Sequence, residues 1–168
     1  TTGNIDLTSK VTGVLPQANG GTGYTTLPKW WAAGNANNNV ANSTNDAFET
    51  FVFPAETVDT ANAYNTSTGK YTAPQTGYYY TNAKVLVQGL NANAAYYADI
   101  GIFANNAQVL RETWTENAYA RAVTLSVQGI VYATQGQDID VRVRFQNVAN
   151  QVVYAATTTA YFQGYLIP

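Results

Sequence analysis

One eleven-residue stretch carries most of the side chains in this 168-residue chain that could bind a ligand. It combines two aromatic rings, two carboxylates and two guanidinium groups: Arg111, Glu112, Trp114, Glu116, Tyr119 and Arg121. Aromatic rings stack on the apolar faces of sugars, and the polar groups donate and accept hydrogen bonds. The stretch therefore predicts a ligand-binding site on a loop or a loop-flanked strand, because it lies between two predicted strands. Alternatively, Trp114 covers the core or a subunit interface.

Two other aromatic pairs are weaker candidates for the same chemistry. Tyr96 and Tyr97 form a second possible ligand surface, although packing in the core is the favoured interpretation. Trp30 and Trp31 lie in a polar segment, where an exposed pair of tryptophans would be unusual. We predict that this pair anchors the segment to the base of a domain rather than binding a ligand.

The composition argues against catalysis. The chain has no histidine and no cysteine, which excludes Ser-His-Asp and Cys-His nucleophiles and the usual zinc ligands. Asp138 with Asp140, and Glu112 with Glu116, could form acid–base pairs. Residues 138–145, however, alternate charged and apolar side chains, which is typical of an outward ladder that pairs across strands. We predict no enzyme, no cofactor and no metal site, although an oxygen-ligated calcium ion stays possible.

Charge and hydropathy restrict the possible partners. The net charge is −2 and only 11% of residues are charged, so no basic surface is available for nucleic acid. No apolar run approaches the roughly 18 residues of a membrane span, so membrane insertion is not predicted. The chain begins at Thr1 without a methionine, and we interpret it as the C-terminal part of a longer protein.

Strand-like runs that end at glycine, asparagine or proline dominate the second part of the chain. The predicted strands are residues 48–53, 77–87, 96–103, 123–132, 139–145 and 157–167. No segment has an apolar stripe at helical spacing, so the pattern predicts an all-β sandwich or barrel. Tyr78, Tyr79 and Tyr80 place aromatic rings on both faces of one strand, which therefore needs a core on one side and a partner on the other.

The chain is predicted to divide at residue 46. Residues 1–45 are interpreted as an extended joining arm and linker, because residues 32–45 are almost all small and polar and cannot bury enough surface to order themselves. Residues 46–168 hold the predicted strands and are interpreted as the folded domain.

Four motifs within this domain resemble the globular heads of the complement C1q family. They are residues 64–80, with Thr68-Gly69-Lys70-Tyr71 and Pro74 before Gly77-Tyr78; residues 100–109; residues 123–139; and the closing residues 160–168. Asn106-Ala107 departs from the Asn-Gly turn of that family. The resemblance implies a ten-stranded jelly-roll sandwich, shared with tumour necrosis factor, that assembles as a homotrimer.

A second resemblance lies near the start of the chain. Residues 11–23 read VTGVLPQANGGTG, which is similar to a segment of bacteriophage tail fibres that joins the shaft to the distal tip. This resemblance implies an upstream tail-fibre shaft as a partner and a location on the virion, at the distal tail fibre.

Together the two resemblances imply a trimeric, non-enzymatic receptor-binding tip. Its expected ligand is a bacterial surface glycan, such as lipopolysaccharide, capsule or teichoic acid. Two alternatives remain: a structural trimerisation cap of a fibre or a complement-like head on a spore surface, and, less favoured, a polysaccharide depolymerase.

Overall fold

The computed structural model describes residues 13, 15, 21, 26–34, 39–42, 46–88, 95–117, 122–146, 151–154 and 160–168. These residues form thirteen β-strands and no helix, so the predicted all-β class is confirmed. The strands are β1 (Lys29–Ala33), β2 (Asn39–Asn42), β3 (Glu49–Thr50), β4 (Ala55–Asp59), β5 (Tyr64–Asn65), β6 (Lys70–Thr72), β7 (Gly77–Gln88), β8 (Ala95–Ala104), β9 (Ala107–Asn117), β10 (Val123–Ala133), β11 (Asp138–Gln146), β12 (Gln151–Tyr154) and β13 (Tyr161–Leu166).

Two antiparallel sheets pack face to face as a sandwich. The first sheet has the order β2-β12-β7-β13-β1-β4, and β10 pairs with β7 over the whole of residues 77–87. The second sheet has the order β5-β6-β11-β8-β9, and the short β3 also pairs with β11. Apart from β5 with β6 and β8 with β9, neighbours in the sheets are not consecutive in sequence, which is the crossed connectivity of a jelly roll.

The core lies between the two sheets and is rich in aromatic rings. Along β10 the inward residues are mostly buried and the outward ones exposed, as period-two alternation predicts. Trp30 of the first sheet stacks on Tyr71 of the second with ring centroids 3.8 Å apart. Phe162 meets the edge of the same tryptophan at 5.2 Å.

The folded part of the chain includes a strand from the predicted arm. β1 lies between β13 and β4 in the first sheet, and its Trp30 is almost fully buried. The packed structure therefore begins before residue 46. Composition did not predict this strand, because the segment is mostly small and polar, whereas Trp30, Ala32 and Ala33 are all buried in it.

Most of the long predicted strands correspond closely to strands of the structure. Residues 77–87, 96–103, 123–132 and 139–145 lie within β7, β8, β10 and β11. In the predicted run 48–53 only Glu49 and Thr50 are paired in a strand, although Phe51 and Phe53 are both buried. The last predicted run, 157–167, contains β13, and residues 157–159 lie outside the described residues.

Tight turns fall where the sequence indicates them. Asn105 and Asn106 have φ angles of 48° and 64° and join β8 to β9 as a two-residue hairpin turn. Asparagine tolerates this left-handed conformation, so the departure from Asn-Gly is accommodated. Gly69 has φ 72° and lies against the backbone of Phe51, where a side chain would meet its carbonyl oxygen at 2.8 Å.

Candidate functional site: a polar cleft between two edge strands

A cleft of about 690 Å³ opens where the two sheets meet at one flank of the sandwich. β9 ends the order of the second sheet, and β10 lies beside it as the neighbour of β7 in the first. The cleft is lined by Asn82, Lys84, Leu110, Arg111, Glu112, Trp114, Thr124, Leu125, Ser126, Val127, Gln128 and Tyr161. Its chemistry is one large aromatic ring among amides, hydroxyls and charged groups.

Alternate residues of β9 form one wall of the cleft. The Leu110 side chain lies over Gly129 of β10. A Cβ atom on Gly129 would be only 2.8 Å from Cδ1 of Leu110, so β9 and β10 approach each other closely here. Two and four residues further along β9, Glu112 is exposed and Trp114 is half-buried against the core. Because its inner part packs on the core, the Trp114 ring is held in place while part of it stays accessible to a ligand.

The floor of the cleft is the outer face of the first sheet. Lys84 lies opposite Ser126 on β10 and opposite Tyr161 on β13, and Asn82 lies opposite Gln128. The Tyr80 hydroxyl donates a hydrogen bond of 2.9 Å to Oε1 of Gln128. This bond orients the Gln128 amide and leaves its nitrogen as a donor.

Arg111 lies at the rim of the cleft and is fixed from the other side of β9. Its Nε donates hydrogen bonds to Asp99 Oδ1 at 2.9 Å and to Thr113 Oγ1 at 3.0 Å. The Asp99 carboxylate is fully buried and also accepts a bond from Arg144 Nε at 2.7 Å. The Arg111 guanidinium is therefore oriented by an internal network, which is the preorganisation that a binding group needs.

Tyr97, another predicted ligand residue, lies away from the cleft, on the outer face of the second sheet. Its hydroxyl donates a hydrogen bond to Asp46 Oδ1 at 2.8 Å, and that bond raises the pKa of the Tyr97 phenol. Its ring packs on the Arg144 guanidinium at 5.0 Å. Burial lowers the pKa of Arg144, but the hydrogen bond and charge of Asp99 outweigh that effect and raise it overall.

The structure thus brings together part of the predicted site. Arg111, Glu112 and Trp114 all line the cleft, and they lie in a strand rather than a loop. The side chains of Glu116 and Tyr96 lie outside the described residues, as do Tyr119 and Arg121 entirely.

Sequence reasoning missed the floor of the cleft. Its polar residues occupy alternate positions of β7 and β10, namely Asn82, Lys84, Thr124, Ser126 and Gln128. Period-two alternation signalled that these side chains share one face of each strand. Only the register between β7 and β10 shows that they meet, and a single sequence does not contain that register.

The charged ladder of β11 is not the solvated face that the sequence predicted. Asp140 is fully buried and binds Arg142 Nε at 2.6 Å. Phe48 and Phe103 cover this face with their rings 5.1 Å apart, and the Arg142 guanidinium lies over Phe103 at 4.4 Å. The predicted cross-strand pairing is present, since Arg144 of β11 pairs with Asp99 of β8.

An exposed apolar surface occupies the other end of the first sheet's outer face. This aromatic patch consists of Trp31, Tyr78, Tyr80, Ile130, Tyr132 and Tyr165. Tyr78 and Tyr132 lie with ring centroids 5.2 Å apart, and Tyr80 and Tyr165 lie 5.3 Å apart. Tyr79, between the two outward tyrosines of β7, is fully buried, so this strand does present aromatic rings to both sides.

The strand order of the two sheets defines a jelly-roll sandwich. Comparison with known proteins identifies the family to which it belongs. The model of the C1q domain matches residues 33–167, so the chain belongs to the C1q domain family. No curated protein matches this chain. C1q and tumour-necrosis-factor-like domains are generally non-enzymatic binding domains, and C1q domains are typically extracellular.

Three solved structures illustrate the shared fold. The globular domain of a zebrafish complement 1qA protein is 16% identical with a TM-score of 0.53, covering 84% of this chain and 98% of that one. Murine APRIL is 10% identical with a TM-score of 0.61, covering 84% and 100%. The Eiger TNF of S. frugiperda is 9% identical with a TM-score of 0.60, covering 84% and 93%. Identities this low establish the fold alone.

Among the described residues no helix is long and apolar enough to cross a membrane. The same residues contain no group of three or more acidic side chains placed to hold a metal ion.

Proposed function

We propose that this chain is a homotrimeric, non-enzymatic recognition head that binds a saccharide in the cleft between β9 and β10. The observation that carries the proposal is the lining of the cleft. A held aromatic ring at Trp114 faces a floor of amide and hydroxyl groups. A sugar has an apolar face that can stack on the Trp114 ring and hydroxyl groups that can hydrogen-bond to the polar floor. One sugar ring can therefore contact the wall and the floor of the cleft together.

The aromatic patch supports self-association. Ile130 is 57% exposed and lies opposite Tyr80, which lies opposite Tyr165 on the other side of β7. A contiguous apolar surface of this kind marks an interaction site. A homotrimer that buries the patch would place three clefts on one particle, and such multivalency raises the avidity for a repeating glycan.

Replacing Ile130 with glutamate tests the assembly. We expect the wild-type protein to have three times the mass of the chain in light scattering and Ile130→Glu to be a folded monomer, because the buried charge would have no partner. Gln108→Glu adds the same charge at an exposed position of the second sheet and should leave the trimer intact. A monomeric wild-type protein would contradict the proposed assembly.

The non-enzymatic part of the proposal rests on the charged groups of the cleft. Glu112 is the one carboxylate among its lining residues, and an acid–base mechanism on a glycosidic bond needs two. Asp140 is buried in its pair with Arg142, and Asp138 pairs with Lys70 at 3.0 Å. We therefore expect the protein to bind polysaccharide without releasing reducing sugars.

A single substitution tests the ligand site. Trp114→Leu keeps apolar packing against the core but removes the aromatic face, so we expect binding to the glycan to weaken about tenfold or more. The matched control is Tyr97→Leu, which removes the other candidate ring, on the outer face of the second sheet, and should leave binding unchanged. Affinity is measured by surface plasmon resonance on immobilised bacterial polysaccharides. A loss of affinity in Tyr97→Leu with none in Trp114→Leu would contradict the site in the cleft and would indicate a site at Tyr97.

We further propose that the head is the tip of a bacteriophage tail fibre. The support for this proposal is the similarity of residues 11–23 to a joining segment of tail fibres. The second candidate is a complement-like head or a trimerisation cap, which the C1q family match favours. Pre-incubating bacteria with the purified head separates the two. A tail-fibre tip should block adsorption of the phage that carries it, whereas a structural cap or a head from another setting should not.

A further inference from the structure

The chain enters the sandwich through a short segment that is fixed on both sides. Before β1 is under way, the Thr60 hydroxyl donates a hydrogen bond of 3.0 Å to the carbonyl oxygen of Leu27 and accepts one of 3.0 Å from the Lys29 amide. On the other side, the Leu166 amide donates to the carbonyl oxygen of buried Pro28 at 2.9 Å. These five residues form an entry clamp, which joins the incoming chain to the ends of β4 and β13.

β1 continues this attachment into the interior of the first sheet. All five of its residues pair with β13, and residues 30–33 also pair with β4, so the strand is hydrogen-bonded along both edges. Trp30 is 2% exposed and stacks on Tyr71 of the second sheet. A pull on the preceding chain therefore acts on two rows of backbone bonds and on a ring packed in the core.

The entry clamp and the candidate ligand site lie at different levels along β1. Lys29 pairs with Tyr165, whereas Ala33 pairs with Tyr161, which belongs to the lining of the cleft. Four residues of strand, about 13 Å, separate the two levels. Tension between a ligand held in the cleft and the chain before residue 29 would therefore run along β1.

The second sheet has the same polarity. Gly77 lies against the Leu166 side chain and pairs with Ala133, the last residue of β10, so all three lie at the end of the sandwich that holds the clamp. A short turn leads from there to Asp138, the first residue of β11, whose carbonyl oxygen accepts a hydrogen bond from Asn105 in the hairpin before β9. β9 therefore starts at the clamp end and runs away from it.

The direction of a pull decides how the bonds of β1 are loaded. Hydrogen bonds between antiparallel strands are perpendicular to the strands. A force along β1 therefore shears all of its bonds together, whereas a force that separates Lys29 from Tyr165 breaks them one pair at a time. Because rupture under force follows the unfolding rate, the arrangement that must break several bonds together holds for longer.

We infer that β1 and the entry clamp form a load-bearing anchor, through which the head resists tension that arrives along residues 1–28 while its ligand is held. The anchor is strong along β1 and weak when β13 is peeled from it. The source of the load rests on the proposed function, since it needs a bound ligand and an upstream shaft. The mechanical strength belongs to the fold and can be measured without a ligand.

Single-molecule force measurements in two pulling directions test the inference. The chain has no cysteine, so one introduced cysteine gives a unique attachment point besides the N-terminus. Thr115→Cys, exposed near the far end of β9, sets a pull along β1, and a cysteine added after Pro168 sets a pull that peels β13 from β1. With handles on one protomer, we expect a lifetime at fixed force roughly 100-fold longer along β1, because two or more additional hydrogen bonds break together.

Thr60→Val identifies the clamp as part of the anchor. Valine keeps the size of the side chain but loses both hydroxyl bonds, so rupture along β1 should come about tenfold sooner at the same force. The lifetime in the peeling direction should change less, because β13 can leave while β1 stays paired with β4. A general loss of stability would shorten both lifetimes.

Thr76→Val is the matched control. The Thr76 hydroxyl accepts a hydrogen bond of 2.9 Å from the Gln135 amide, at the same end of the sandwich but away from β1, and its loss should alter neither lifetime. Equal lifetimes in the two directions would overturn the inference, and so would equal effects of Thr60→Val and Thr76→Val. Neither result involves a glycan, so the proposed function would still depend on the outcome for Trp114→Leu.

Discussion

Asp99→Asn is expected to destabilise the protein by about 3–5 kcal/mol, because it removes the charge from a buried carboxylate that holds two arginines. Asp99 accepts hydrogen bonds from Arg111 and Arg144 and from the Thr113 hydroxyl at 2.6 Å. Asparagine has nearly the same shape but leaves the Arg111 guanidinium without its counter-charge and leaves Arg144 with only its longer pair to Asp46, at 3.6 Å. The Arg144 side chain is only 19% exposed, so water cannot replace the lost partner fully.

Urea unfolding measures this effect. All variants are compared at one protein concentration, because self-association would make the measured stability depend on concentration. Asp138→Asn is the matched control. Its carboxylate pairs with Lys70 with both side chains about one-third exposed, so the loss should be below about 1 kcal/mol. Equal effects at the two positions would show that burial of the Asp99 network adds nothing to stability.

Gly164→Ala is expected to cost about 3 kcal/mol or more, because no space exists for a methyl group at this position. A Cβ atom on Gly164 would lie 2.5 Å from the backbone carbonyl oxygen of Tyr80 and would overlap the ring of Trp30. Trp30 is held between Tyr71 and Phe162, and Tyr80 belongs to the central strand β7. Neither neighbour can move without disturbing the core.

Gly77→Ala is the comparison for this change, measured as the thermal midpoint of each variant. A Cβ atom on Gly77 would meet only Cδ1 of Leu166, at 2.7 Å, and the end of a leucine can rotate away. We expect this variant to lose less than half as much stability as Gly164→Ala. A wild-type midpoint in Gly164→Ala would mean that β13 and β1 pack differently from the structure described.

The alternation of apolar and polar residues predicted where most of the strands lie, but it did not predict which strand faces are buried. The alternation in residues 138–145 located β11, and Asn105-Asn106 located the hairpin between β8 and β9. The same alternation gave the wrong environment for Asp140, because Phe48 arrives from a distant segment and covers that face. Period two separates the faces of a strand but cannot show what packs on either one.

The candidate site was predictable on one wall only. Arg111, Glu112 and Trp114 are close in sequence, so their chemistry was visible as a cluster. Lys84 and Ser126 are far apart in the chain and meet only through the register of β7 and β10. Arg111 also appears in the sequence as a free charge, whereas the fold fixes it through the buried carboxylate of Asp99.

The most direct test of the account is to observe the three tryptophans while a ligand binds. The chain contains only Trp30, Trp31 and Trp114, so a protein labelled with fluorotryptophan should give three fluorine resonances, assigned by single substitution to phenylalanine. The protein is titrated with fragments of the polysaccharide that it binds most tightly. We predict that the resonance of Trp114 moves while those of buried Trp30 and of Trp31, on the opposite side of the first sheet from the core, stay in place. Movement of the Trp31 resonance alone, or of none with any polysaccharide, would contradict a saccharide site in the cleft.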